Sequence, residues 1–172
     1  MSKPLVGIVM GSDSDFKIME EASKMLDQFN VPHEVLVTSA HRSPERTRKY
    51  VQGAKRRGIR VMIAGAGGAA HLAGVVAADT HLPVIGVPIG STSLHGLDSL
   101  LSTAQMPGGV PVAAVSIGIP GAKNAGLLAV QILALSDEKL AGRLIKYKKD
   151  QAKAVAQKSK KLKTSHAANF KG

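Results

Sequence analysis

Five short apolar runs recur along the chain, each followed by a loop or turn rich in glycine, serine, asparagine or proline. They are LVGIVM from Leu5, HEVLVTS after Pro32, IRVMIA from Ile59, LPVIGVP from Leu82 and VPVAAVSI from Val110. Runs of strand length that are apolar almost throughout suit strands buried on both faces. Helical spacing fills the gaps. Phe16, Met19, Ala22, Leu26 and Phe29 recur at steps of three and four, which is one face of a helix. Ser43 before Pro44 supplies an N-cap and first helical residue, and Gly58 a stop, which predicts a helix from Pro44 to about Arg57. Further helices are predicted near His71 to Ala78, through GLDSLLSTAQ and from Ala122. A last one is capped by Ser136 with Asp137 and Glu138 and striped by Leu140, Leu144 and Tyr147. The alternation predicts a three-layer, doubly wound parallel sheet of flavodoxin-like or Rossmann-like type.

A chain of 172 residues with 44% hydrophobic content fits one such domain, placed at residues 4–147, with a C-terminal helical extension. The net charge of +11 is unevenly spread, with +9 in residues 143–172 and +2 in the rest. The basicity therefore belongs to the tail, 148–172, expected to be helical and then disordered. It lacks the aromatic interleaving that stacks on bases, so nucleic-acid binding is not the expected role. His33 and His166 read as surface residues. The absence of an eighteen-residue apolar run, and of a charged segment with a cleavage site at the N-terminus, leads to the expectation of a soluble, cytoplasmic protein. With no cysteine, thiolate chemistry and disulfides are excluded.

In an open parallel sheet, ligands bind outside the carboxyl ends of the strands. Four stretches fall there: GSDSD from Gly11, SAHR from Ser39, GAGGAAH from Gly65, and the loop and helix after Pro88. Gly11, Ser12 and Ser14 precede a helix, where free N–H groups suit a phosphate, although serine and aspartate are equally ordinary helix caps. Asp15 suits ribose hydroxyls better than phosphate. Arg42 can grip phosphate through a bidentate fork. His41, with an ordinary pKa of about 6.5, can give and take protons near neutrality. Gly65 to Ala70 nominally fit a dinucleotide fingerprint, but no acid follows at the ribose-binding distance. Gly65, Gly67 and Gly68 then serve either close approach to a small ligand or tight packing. No histidine spacing matches a metal site, so no metal is expected.

Taken together, GSDSD, SAHRSP, AGAGGAAHL, LPVIGVP, GLDSLLSTAQMPGGVPV and KNAGLLA resemble the PurE family of purine biosynthesis, in one collinear order over about residues 4 to 147. Arginine at position 42 is similar to the bacterial class I mutases, where the class II carboxylases typically carry lysine. The resemblance implies conversion of N5-carboxyaminoimidazole ribonucleotide to 4-carboxyaminoimidazole ribonucleotide, without cofactor or metal, in a homo-octamer with sites shared between subunits. On matching positions it implies that Ser12, Ser39 and Arg42 hold the phosphate, Asp15 the ribose, and that His41 is the general acid/base. Gly67, Ala70 and His71 would line the pocket for imidazole and carboxylate, and the 96–109 region would close a neighbouring subunit's site. The chain departs from the family's usual pattern at Phe16, Ser43 and Ala73, the last bearing on the pocket wall.

Overall fold

The computed structural model describes residues 3–169, with side chains described as far as Leu162. It divides into two units, Met1–Leu133 and Ala134–Gly172. The first holds β1 (Val6–Met10), β2 (His33–Val37), β3 (Val61–Gly67), β4 (Val84–Ile89) and β5 (Ala113–Ala114). Between and after these strands run α1 (Phe16–Gln28), α2 (Pro44–Arg57), α3 (Leu72–Ala78), α4 (Leu97–Ala104) and α5 (Ile119–Ala134). All pairings are parallel, in the order β2-β1-β3-β4-β5. The doubly wound α/β class expected from the alternation is the observed one.

Every residue of β1 and β4 is buried, as their unbroken apolar sequences require. Val51 and Ala54 of α2 and Leu72, Ala73 and Val76 of α3 join Val9 and Met62 in a single cluster on one face of the sheet. A fully buried valine or leucine of this kind stabilises the fold by about 1.5–3 kcal/mol. On another side α5 lies close to α1, since a Cβ at Gly126 would meet the Ala22 carbonyl oxygen at 2.8 Å. The order of strands reverses between β1 and β3, the position at which such sheets open a crevice. The strand ends are level there. Met10 stands opposite both Val37 and Gly65, the Thr38 N–H donates to the Met10 carbonyl at 2.8 Å, and that of Gly11 to Gly65 at 3.2 Å.

Several local expectations need adjusting. Helix α2 has the expected limits, with Gly58 left-handed at φ 105°, but the Ser43 hydroxyl caps nothing. It instead accepts from the Ser39 N–H and donates to the Ser39 carbonyl, both at 3.1 Å, fastening the preceding loop. The fifth apolar run forms only a two-residue strand with both alanines exposed, because an edge position offers a ladder on one side alone. His33 is not a surface residue: its Nε2 meets the Ser23 hydroxyl at 2.5 Å and its Nδ1 the Val31 carbonyl at 3.0 Å.

The second unit is α6 (Glu138–Asn169). Its cap is Asp137, whose Oδ1 accepts from the Leu140 N–H at 3.0 Å. The helix does not fray after Lys148 but continues to Asn169, because Lys, Ala and Gln are all strong helix formers. Residues 170–172 and the side chain of His166 lie outside the described residues. Among the described residues no helix is long and apolar enough to cross a membrane.

Candidate active site

A cleft of about 300 Å³ opens at the reversal of strand order. The loop after β1 supplies Gly11, Ser12, Ser14 and Asp15, the loop after β2 supplies Ser39 to Arg42, and β3 with its loop supplies Ala66, Gly67, Ala70 and His71. All eight residues singled out from the sequence, Ser12, Asp15, Ser39, His41, Arg42, Gly67, Ala70 and His71, are brought together here.

The first loop is held by a capping box around a 3-10 turn at Asp13–Asp15. Asp15 Oδ2 accepts from the Ser12 N–H at 3.1 Å, and Ser12 Oγ accepts from the Ser14 N–H at 3.3 Å. The two serine hydroxyls meet at 2.9 Å at the exposed rim. The cap and ligand readings of these residues are thus compatible, since the caps orient the hydroxyls. Burial pushes the Asp15 carboxyl above its ordinary range; the Ser12 N–H opposes this, and the nearby Asp13 charge adds to it.

The second loop is pinned at both ends. Thr38 and Thr47 share a buried hydroxyl hydrogen bond of 2.8 Å, joining the end of β2 to the first turn of α2. Between them the Arg42 N–H donates to Ser39 Oγ at 3.1 Å, which leaves the Ser39 proton available to a ligand. The Arg42 guanidinium reaches across the cleft and donates to the Gly11 carbonyl at 3.2 Å. Among the described residues it is the one permanent cation lining the cleft. With the serine hydroxyls around it, it makes a grip of the kind phosphate takes.

The glycines of the third loop divide between two roles. Gly65 serves packing, since a Cβ there would overlap the buried Met19 sulfur. Gly67 lines the cleft, and a Cβ there would overlap Ser91 Oγ. Ala70 is held left-handed at φ 44°, bringing a small side chain to the cleft. Beyond it His71 stands at the N-cap position of α3, and its Nδ1 lies 2.7 Å from His41 Nε2. Ala73 sits on the buried face of α3 and does not line the cleft, whereas Leu72 does. Ser91 was missed as an individual residue; its position two residues past the end of β4 was the available signal. Among the described residues no three of His, Asp or Glu cluster closely enough to hold a metal ion.

On the far side of β4 the surface changes character. The 92–98 loop is fastened by Thr92 Oγ1 donating to Asp98 Oδ2 at 2.6 Å, which holds the Asp98 carboxyl below its ordinary range. Leu94 in the loop before α4, and Leu97 and Leu101 one turn apart on α4, stand exposed, each at half exposure or more.

Residues 5–154 match the model of the AIR carboxylase family. The chain is 56% identical over 160 residues to the N5-carboxyaminoimidazole ribonucleotide mutase of Pyrococcus horikoshii, covering 93% of this chain and 89% of that one. It is likewise 56% identical to the protein of that name in Bacillus subtilis, covering 93% and 99%. Among solved structures, Treponema denticola PurE superposes with a TM-score of 0.83 at 30% identity, covering 92% of this chain and 98% of that one.

Proposed function

The chain belongs to the AIR carboxylase family, and we propose that it is an isomerase of purine biosynthesis, converting N5-carboxyaminoimidazole ribonucleotide to 4-carboxyaminoimidazole ribonucleotide in the cytoplasm. The observation that carries this is the pairing in one cleft of an anion grip, Arg42 with Ser12 and Ser39, and a proton carrier, His41.

The reaction moves a carboxylate from an exocyclic nitrogen to a ring carbon. It proceeds by loss of CO2, retention of that CO2 in the pocket, and attack on it by the electron-rich carbon. One proton reaches the nitrogen and one leaves the carbon. No electron changes hands, so a single group near neutrality balances both steps: His41 delivers the first proton and removes the second. The phosphate sits on Arg42, Ser12 and Ser39, and the ribose hydroxyls meet Asp15. Fixing the nucleotide by its remote end sets the reacting atoms relative to His41. The heterocycle and the transferred carboxylate lie against Gly67, Ala70 and His71, where small side chains leave room for CO2 and little for water.

The working form in this reading is a homo-octamer with shared sites. The exposed Leu97 and Leu101 of α4 support it, since they would bury against a second copy and bring the 96–109 segment to that copy's cleft. The deciding experiment follows ultraviolet absorbance with each of two substrate sets at low bicarbonate. Turnover of the carboxylated nucleotide alone is expected. Turnover only of aminoimidazole ribonucleotide with added bicarbonate would instead make the protein a carboxylase.

A further inference from the structure

Resting on the reading of His41 as the proton carrier, we propose that His71 is a positioning residue. It accepts the His41 Nε2 proton, holds His41 in one tautomer, and leaves His41 Nδ1 as the atom that exchanges protons with the substrate.

The two rings meet edge to face, with planes at 85° and centroids 4.8 Å apart, and His41 Nε2 lies 2.7 Å from His71 Nδ1. Each is exposed at the cleft, His41 on the loop entering α2 and His71 at the start of α3. A nitrogen-to-nitrogen contact of this length needs one proton between the two atoms, so one is donor and the other acceptor. Which is which follows from the chemistry. When His41 acts as an acid it is an imidazolium with both nitrogens protonated. At Nε2 it can then only donate, and His71 Nδ1 must accept.

When His41 acts as a base it must offer a bare nitrogen to the substrate. Were the bridging proton on His71, neutral His41 would carry its own proton on Nδ1, and its only lone pair would point at His71. Donation from His41 Nε2 is the one arrangement that serves both half-steps. In the first, the His41 Nδ1–H bond breaks as the N–H bond on the exocyclic nitrogen forms. In the second, the ring C–H bond breaks and Nδ1–H forms again. The bridging proton stays on His41, and His71 remains neutral with its own proton on Nε2. The pair holds three protons at the start, two in the middle and three at the end. A neutral acceptor also helps the imidazolium more than the neutral ring, since hydrogen bonds to a charged donor are the stronger ones.

The test uses the full chain, 15N-labelled at histidine. In ligand-free protein at pH 8, long-range proton–nitrogen correlation should place the proton of neutral His41 on Nε2 in the wild type, with that bias lost in His71→Leu. In turnover, His71→Leu should lower kcat roughly ten- to a hundredfold and move the high-pH limb of the kcat profile to lower pH. His71→Asn, whose amide oxygen stands where Nδ1 did, should recover most of the rate and the profile. A proton on His41 Nδ1, or equal loss in the Leu and Asn variants with an unmoved profile, would overturn the proposal. A wild type that does not turn over the carboxylated nucleotide would sink the preceding functional reading, while the tautomer measurement still decides the pair.

Discussion

The loops after β1, β2 and β3 and the segments flanking β4 and β5 border the same sheet, yet they differ in how complete they are. On the first side almost every polar group has a partner: Asp15 with Ser12, Ser39 with Arg42 and Ser43, Thr38 with Thr47, His41 with His71. On the other, Leu94, Leu97 and Leu101 stand exposed and β5 is reduced to two exposed alanines. The polar side is organised within one chain. The apolar side leaves large leucines uncovered, which is the observation behind the proposed assembly. The two sides can therefore be probed by separate substitutions, and each makes its own predictions.

The largest effect is expected on the polar side. His41→Asn should lower kcat by about 10²–10⁴-fold, the usual contribution of a general acid/base, while calorimetry still registers nucleotide binding and gel filtration an unchanged assembly. If the variant unfolds instead, His41 belongs to the scaffold. On the apolar side, Leu97→Lys with Leu101→Lys should convert the assembly to smaller species by sedimentation while circular dichroism stays native. An unchanged mass would remove these leucines from any interface.

Gly65→Ala tests the scaffold beneath the cleft. The added Cβ would strike the buried Met19 side chain, and urea unfolding should report a loss of about 1–3 kcal/mol, the usual cost of overpacking. The smallest effect is a gain. Burial raises the Asp15 pKa above its unfolded value of 3.8, so the folded state binds the proton more tightly than the unfolded one, and stability falls as pH rises through the folded pKa. Asp15→Asn removes that charge and should raise Tm slightly at pH 7 while weakening nucleotide binding. The Tm difference should shrink as pH drops through the folded pKa. A lower Tm at pH 7 would mean that the carboxylate's hydrogen bond to Ser12 outweighs its burial.

How far these two sides can be read from sequence differs for a physical reason. Local chemistry announces itself: Ser43, Pro44 and Gly58 delimit α2, and the rule for parallel sheets points to the loops holding Ser12, His41 and Gly67. Contacts between loops do not. His41 and His71 lie thirty residues apart, and nothing in either segment encodes that their rings touch. The same holds for Arg42 reaching the Gly11 carbonyl, and for Ser43 turning its hydroxyl back toward Ser39 instead of capping. The extent of β5 was misjudged because apolar content signals burial without saying which molecule provides the cover. The length of α6 was misjudged because lysine-rich composition suggests solvation and disorder, although lysine and alanine favour helix as well.

The hydroxyl bridge between Thr38 and Thr47 also limits how the chain can be altered by insertion. It fixes the span from the end of β2 to the first turn of α2, so one added residue between them would force the bridge open or throw His41 and Arg42 out of alignment. Gly108 and Gly109, by contrast, have open space where a side chain would go. A peptide spliced in at those glycines should leave this chain's own cleft intact while disturbing the segment proposed to meet a second copy's cleft.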